Sequence, residues 1–179
     1  MARMFIGIDI PIKNKKEILL YCHGPRNIQW VDYQNFHLNL CFLGEIDRRS
    51  QNVLESSLDE MYLNQFHLNP EGIGSFDKSQ REKIIWIGIK LSPELIELQR
   101  SIDKNLSILG ISRDKRKFIP HITIGKMKNA KKEDLNQYLQ QEMDYPLSDF
   151  QVTSFSLFSS KLRPQGPLYR IEREFQLYH

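Results

Sequence analysis

The chain has 179 residues, 40% of them hydrophobic and 26% charged, with a formal net charge of +3. These proportions fit a globular protein with one substantial core, and the charge falls well short of a histone-like polycation. Mild basicity permits an anionic substrate. Cys22 and Cys41 form neither a disulfide framework nor a CxxC metal site, so a reducing cytoplasm is the expected setting. Asp9 and Pro11 interrupt the apolar stretch that follows Arg3 before it could serve as a signal-peptide core. No apolar run approaches membrane-spanning length.

Taken in order, Phe5–Ile10 reads as a buried strand closed by Pro11. Ile12–Tyr21 has helix-like spacing, with Ile12, Glu17, Ile18 and Tyr21 on one face. After the turn Gly24-Pro25-Arg26-Asn27, Ile28–Val31 is a short extended segment. Phe36–Leu43 alternates with period two and ends at Gly44, as a strand does. Asp47 can cap a helix running to about Leu63, with Leu54, Leu58 and Met61 as its buried stripe. Phe66–Pro70 is a strand fragment broken by proline, and Glu71–Phe76 continues it with glycines that suggest a bulge or close backbone approach.

Ile84–Ile89 is near-continuously apolar, typical of a central strand. Ser92-Pro93-Glu94 starts a helix whose apolar face is Leu95, Leu98, Ile102, Leu106 and Leu109, and Gly110 ends it. Phe118–Gly125 is an alternating strand with Pro120 near its start. Lys131–Met143 reads as a helix. Phe150–Ser159 and Leu168–Tyr178 read as two strands joined by a hairpin loop over Ser160–Pro167. Strands and helices mix without a strict βαβ repeat, so the class is α+β, and no linker divides the chain. A single domain over residues 1–179 is expected.

Two segments carry chemistry. His37-Leu38-Asn39-Leu40 and His121-Ile122-Thr123-Ile124 share the pattern histidine, apolar, small polar, apolar, each on a predicted strand. Residues two apart share a strand face, so each histidine lies beside a hydrogen-bonding side chain while the aliphatic residues point to the core. Side by side, two such strands would aim two imidazoles into one cleft. One imidazole can take a proton from attacking water and the other can give one to a leaving ribose oxygen. The Asn39 amide and Thr123 hydroxyl can donate to non-bridging phosphate oxygens. A lone histidine on a strand is usually structural; the matched pair reverses that balance. Phe66-His67-Leu68-Asn69 copies the first motif, but Pro70 stops the strand pattern, and His67 is assigned a structural or surface role. Strict alternation puts Phe42 toward the core unless a bulge intervenes, and gives Cys41 the parity of His37 and Asn39. Arg113-Asp114-Lys115-Arg116-Lys117, just before the second motif, is either a solvated loop or a phosphate-attracting rim.

These motifs, with Phe5-Ile6-Gly7-Ile8-Asp9-Ile10-Pro11, Gly72-Ile73-Gly74-Ser75-Phe76, Trp86-Ile87-Gly88 and the tail Leu157–Tyr169, form an ordered series along nearly the whole chain. The series resembles the two-histidine phosphoesterase superfamily, specifically the bacterial and archaeal RNA 2′,3′-cyclic phosphodiesterases, also called 2′-5′ RNA ligases. The resemblance implies a bilobal fold with pseudo-twofold symmetry, two antiparallel-rich sheets flanked by helices, and an active cleft between the lobes. It implies that His37 donates a proton to the leaving 3′ oxygen, that His121 accepts one from water, and that the product is a 2′-phosphate. It implies no metal and no other cofactor. The expected partner is an RNA 3′ end bearing a cyclic phosphate, or an oligonucleotide, with no membrane and no obligate protein partner; a monomer is expected.

Two positions depart from the family pattern. Asn39 stands where threonine is usual, and Lys126 stands where an arginine commonly follows the second motif and so lacks the forked geometry. Asn39, Thr123, Lys126, Phe42 and Arg163 are the candidate substrate-binding residues, with Phe42 able to stack on a base. The rival readings are a non-catalytic RNA-end or nucleotide-binding module, and a phosphodiesterase of a small cyclic nucleotide or 2′-5′ oligonucleotide.

Overall fold

A computed structural model describes residues 2–79, 81–114, 116–129, 132–141, 147–163 and 166–178. The first strand, β1 (Ala2–Asp9), buries Met4, Ile6 and Ile8 on one face. Pro11 opens α1 (Ile12–Leu19). This helix departs from its expected face: Ile12 is 59% exposed, while Asn14 and Lys15 are buried with Ile18. The polar pair is buried because it has partners, the Ser148 carbonyl for Asn14 and Asp9 for Lys15.

Next come β2 (Ile28–Trp30), a 3₁₀ turn at Tyr33–Asn35, and β3 (His37–Ile46). Helix α2 (Arg48–Asp59) is capped as expected, with Asp47 accepting from the Ser50 amide at 2.9 Å, but it ends four residues before Leu63. Asn69 separates β4 (Phe66–Leu68) from β5 (Pro70–Asp77), which opens on its proline, and β6 (Glu82–Ile89) follows. Helix α3 (Pro93–Ile108) has Ser92 accepting from the Leu95 amide at 3.2 Å, and Gly110 turns the chain at φ +66°. Then come β7 (His121–Lys128) and α4 (Lys132–Gln141). The rest of the helix expected over Lys131–Met143 lies outside the described residues. One expected strand splits at Thr153 into β8 (Phe150–Val152) and β9 (Ser154–Arg163), and β10 (Gly166–Gln176) closes the chain. The expected hairpin loop is mostly strand; Pro164 and Gln165 lie outside the described residues.

Eight strands form one antiparallel sheet in the order β10-β9-β1-β3-β7-β6-β5, with β2 also on β7. Strands β4 and β8 form a separate pair, so Pro70 and Thr153 are where the chain changes sheet. Long ladders run through each half. Between β3 and β7 the register is one pair, Leu38 with Ile122. The fold is therefore α+β, with two antiparallel halves hinged on the two histidine strands. Leu38, Leu40, Ile122 and Ile124 point into the core, with at most 4% exposure, among the Leu95, Leu98, Ile102 and Leu106 stripe of α3. Each such side chain contributes about 1.5–3 kcal/mol on burial, so the motifs' aliphatic positions anchor the strands that present the histidines.

No described helix is long and apolar enough to cross a membrane.

Candidate active site

The single β3–β7 pair decides where the histidines lie. In an antiparallel ladder, residues flanking a pair are themselves opposed and share the other face. Thus His37 lies opposite Thr123, and Asn39 opposite His121. The two histidines occupy diagonal positions, about 7–8 Å apart by strand geometry, on the face away from the helices.

Each ring is held in the same way. His37 Nδ1 donates to the Asn35 carbonyl at 2.7 Å, and His121 Nδ1 to the Ile119 carbonyl at 2.7 Å. A carbonyl only accepts, so the proton is on Nδ1 and Nε2 is free to exchange protons with a ligand. Aromatic rings wall both sites. His37 meets Phe5 (4.7 Å between centroids), Tyr169 (5.0 Å, edge-on) and Phe158 (5.9 Å). His121 meets Phe76 (5.0 Å, edge-on) and Trp86 (6.3 Å). Burial pushes His37 down to about 4, against the opposing pull of the Asn35 carbonyl and Asp9. Burial also lowers His121, offset by the Ile119 carbonyl. Both rings are neutral at neutral pH.

Matched bulges shape the rest of the face. On β3 the register with β1 jumps from Ile6–Cys41 to Gly7–Asn39, leaving Leu40 as the extra residue. On β7 the register with β6 jumps from Ile85–Gly125 to Trp86–Thr123, leaving Ile124 extra. Each bulge lies three residues after its histidine and reverses side-chain parity beyond it. Phe42 consequently turns to the histidine face, where the Arg3 guanidinium lies 5.4 Å from its ring. Cys41 turns into the core, correcting its expected place on the histidine face; it is 6% exposed, and burial pushes its thiol up to about 12. Lys126 reaches the histidine face by the same device, opposite Gln29 and Ile84.

Of the expected site residues, His37, His121, Asn39, Thr123, Phe42 and Lys126 share this face. Arg163 does not. It pairs with Gly166 at the hairpin end, and its parity with Leu157 puts it on the opposite face. Tyr169, across from Ser160, is the hairpin residue that walls His37. Asn39 Oδ1 and Trp86 Nε1 are buried with no hydrogen-bond partner among the described residues. His67 is exposed on the small sheet, 3.3 Å from Asp149. In the basic run, Arg113 is bonded to Asp103 at 2.6 Å and Arg116 to Asp114 at 2.7 Å, so neither is an unpaired cation; Lys115 lies outside the described residues.

Sequence reasoning missed Asp9, Lys15, Phe5, Phe158 and Phe76 as neighbours of the site. The alternation of Phe5, Gly7 and Asp9 carried a signal for β1, since these share a face opposite Met4, Ile6 and Ile8. Nothing in the local pattern pointed to Lys15. Among the described residues no group of three or more His, Cys, Asp and Glu is placed to hold a metal ion.

With this geometry in hand, comparison with known proteins places the chain. The model of the 2′-5′ RNA ligase superfamily matches residues 29–163, and the chain belongs to that family. An Archaeoglobus fulgidus protein named RNA 2′,3′-cyclic phosphodiesterase is 32% identical over 177 residues, covering 97% of this chain and 99% of that protein. A Methanocaldococcus jannaschii protein of the same name is 31% identical over the same shares. The crystal structure of E. coli LigT in apo form has a TM-score of 0.80 at 24% identity, covering 99% of this chain and 98% of that one. A Thermus thermophilus protein of known crystal structure has a TM-score of 0.77 at 19% identity over 97% of each chain; both likenesses concern the fold.

Proposed function

We propose that this protein hydrolyses 2′,3′-cyclic phosphates at RNA 3′ ends to 2′-phosphomonoesters by two-histidine acid–base catalysis. The observation that carries the reading is the β3–β7 crossing, which sets His37 and His121 on one face with their Nδ1 atoms tied to carbonyls and Nε2 atoms available. The shared name of the A. fulgidus and M. jannaschii relatives supports the substrate class.

In this scheme His121 Nε2 takes a proton from water as its oxygen bonds to phosphorus. The bond from phosphorus to the 3′ oxygen breaks, and His37 gives that oxygen a proton. The two histidines end with protonation states exchanged relative to the start, and solvent resets them. The Asn39 amide and Thr123 hydroxyl donate to the non-bridging oxygens, where negative charge builds. Phe42 offers a face for the terminal base, and Lys126 attracts the backbone phosphate. No step requires a metal ion. The working unit is a monomeric single domain acting in the cytoplasm.

The test is incubation of the purified protein with a short RNA ending in a 2′,3′-cyclic phosphate, with excess chelator. Conversion to a 2′-phosphate end supports the reaction, its regiochemistry and its metal independence together. An unchanged RNA end, or a 3′-phosphate product, refutes the assignment.

A further inference from the structure

We propose that Asp9, held by the buried Lys15, is a positioning residue that steers the shared proton to His37 rather than His121 once an anion occupies the site. The consequence for turnover rests on the phosphodiesterase reading above; the proton placement does not.

Lys15 is the unusual group. It is 7% exposed, where lysine is seldom found without a partner. Its Nζ lies 2.7 Å from Asp9 Oδ1 and 3.1 Å from the Gln34 carbonyl. Helix α1 follows β1 directly after Pro11, and Lys15 reaches back to the end of that strand. Both bonds bear on His37. Asp9 is the register partner of His37 between β1 and β3, on the same face. Directly opposed side chains have Cβ atoms about 4.5–5.5 Å apart. Gln34 belongs to the 3₁₀ turn whose next residue, Asn35, accepts the His37 Nδ1 proton. The Asn35 side chain in turn donates to the Pro167 carbonyl at 2.9 Å. One ammonium group therefore fixes both a carboxylate beside the imidazole and the turn that orients it.

The second half has no equivalent. The register partner of His121 is Gly88, which has no side chain. A Cβ there would lie 2.4 Å from the Glu71 carbonyl oxygen, so the position cannot readily gain one. The charged and titratable groups facing His37 are Asp9 from β1, Lys15 from α1, His121 from β7 and, edge-on, Tyr169 from β10. Strand β9 contributes Phe158, which carries no charge. Of these, Asp9 favours the imidazolium, whereas Lys15 and His121 oppose it. Burial keeps both rings neutral at neutral pH. An arriving phosphate brings negative charge to both, and the Asp9 carboxylate adds its own at His37 alone, against the heavier burial of that ring.

The experiment follows the imidazole resonances of the full-length protein through a pH titration in sulfate, an anion that does not itself titrate near neutrality. His37→Gln and His121→Gln assign the signals. In wild type, His37 should gain its proton at higher pH than His121. Asp9→Asn should lower the His37 midpoint by about one pH unit and leave His121 in place. Lys15→Met should raise the His37 midpoint, because Asp9 loses its neutralising partner. The opposite signs separate an electrostatic role from loosened packing, which would move His37 the same way in both variants. An unmoved His37 in Asp9→Asn, or shifts of one sign in the two variants, overturns the proposal. In turnover, Asp9→Asn should move the alkaline limb of the kcat profile down by the same interval. Absence of wild-type turnover with the titration shifts intact would remove the phosphodiesterase reading and leave the proton placement standing.

Discussion

Shielding of His37 has a consequence for stability that needs no substrate. Its folded value of about 4 lies well below the ordinary histidine value of 6.5. Between those limits the unfolded chain binds a proton that the native site refuses. Stability therefore falls as pH drops through 6.5 and levels off below about 4, with the full native advantage present above 6.5. The gap corresponds to about 3 kcal/mol, a large share of the stability of an ordinary domain. His37→Gln keeps the size and a polar end but cannot titrate. Urea unfolding of both proteins at about pH 7.5 and about pH 4 isolates the histidine, because every other group is common to the two. The wild-type midpoint should fall relative to the variant by about 1–3 M urea. A wild-type-minus-variant difference that does not change with pH would refute the argument that Phe5, Phe158 and Tyr169 shield the ring. His121→Gln should show the same sign.

Four further outcomes follow from the same geometry. His37→Ala and His121→Ala should each lose roughly 10²–10⁴-fold in kcat, while His67→Ala, exposed on the small sheet, should not; near-normal turnover in either motif variant sinks the acid–base assignment. Asn39→Thr should retain or raise activity, and a large loss would mean the phosphate pocket is rebuilt around the amide. Gly7→Ala should lower kcat and the thermal midpoint together, since its Cβ would meet the Leu38 carbonyl oxygen at 2.8 Å with the His37 ring at 3.6 Å; unchanged values would show that β1 and β3 part without cost. Lys126→Met should raise KM for RNA and shallow its salt dependence by about one phosphate contact, and an unaltered slope would remove Lys126 from the RNA path.

Much of the fold was legible because local rules and tertiary context agree. Alternation placed β3 and β7, the Ser92-Pro93 start and Gly110 stop bounded α3, and the paired motifs pointed to the two histidines that the β3–β7 pairing sets on one face. The departures have particular causes. Helix α1 buries Lys15 and Asn14, and no hydrophobic pattern signals a buried polar side chain whose partners are distant or on another element. Thr153 and Pro70 look like irregularities in single strands, yet each is a change of sheet, and pairing partners are invisible to a local reading. Phe42 and Cys41 exchanged faces because the extra residue Leu40 reverses the side chains that follow it, up to the second register shift at Leu43. Arg163 was legible only as a nearby charge, since the face it takes follows from how β9 pairs with β1, where Leu157 lies opposite the core residue Ile6.

The bulges also explain how two similar halves make an unsymmetrical site. Each half supplies a histidine, a hydrogen-bonding neighbour two residues on, an extra residue at the third position and a reversed side chain at the fifth. Without the extra residue, Phe42 and Lys126 would face the core, where an ammonium would need a partner. With it, the fifth position is free to differ, and it holds an aromatic ring in one half and a cation in the other. The same frame carries Asp9 opposite His37 and Gly88 opposite His121. A repeated backbone thus sets His37 and His121 at fixed diagonal positions, while a few side chains hung on it make the two ends of the face differ in charge and aromaticity.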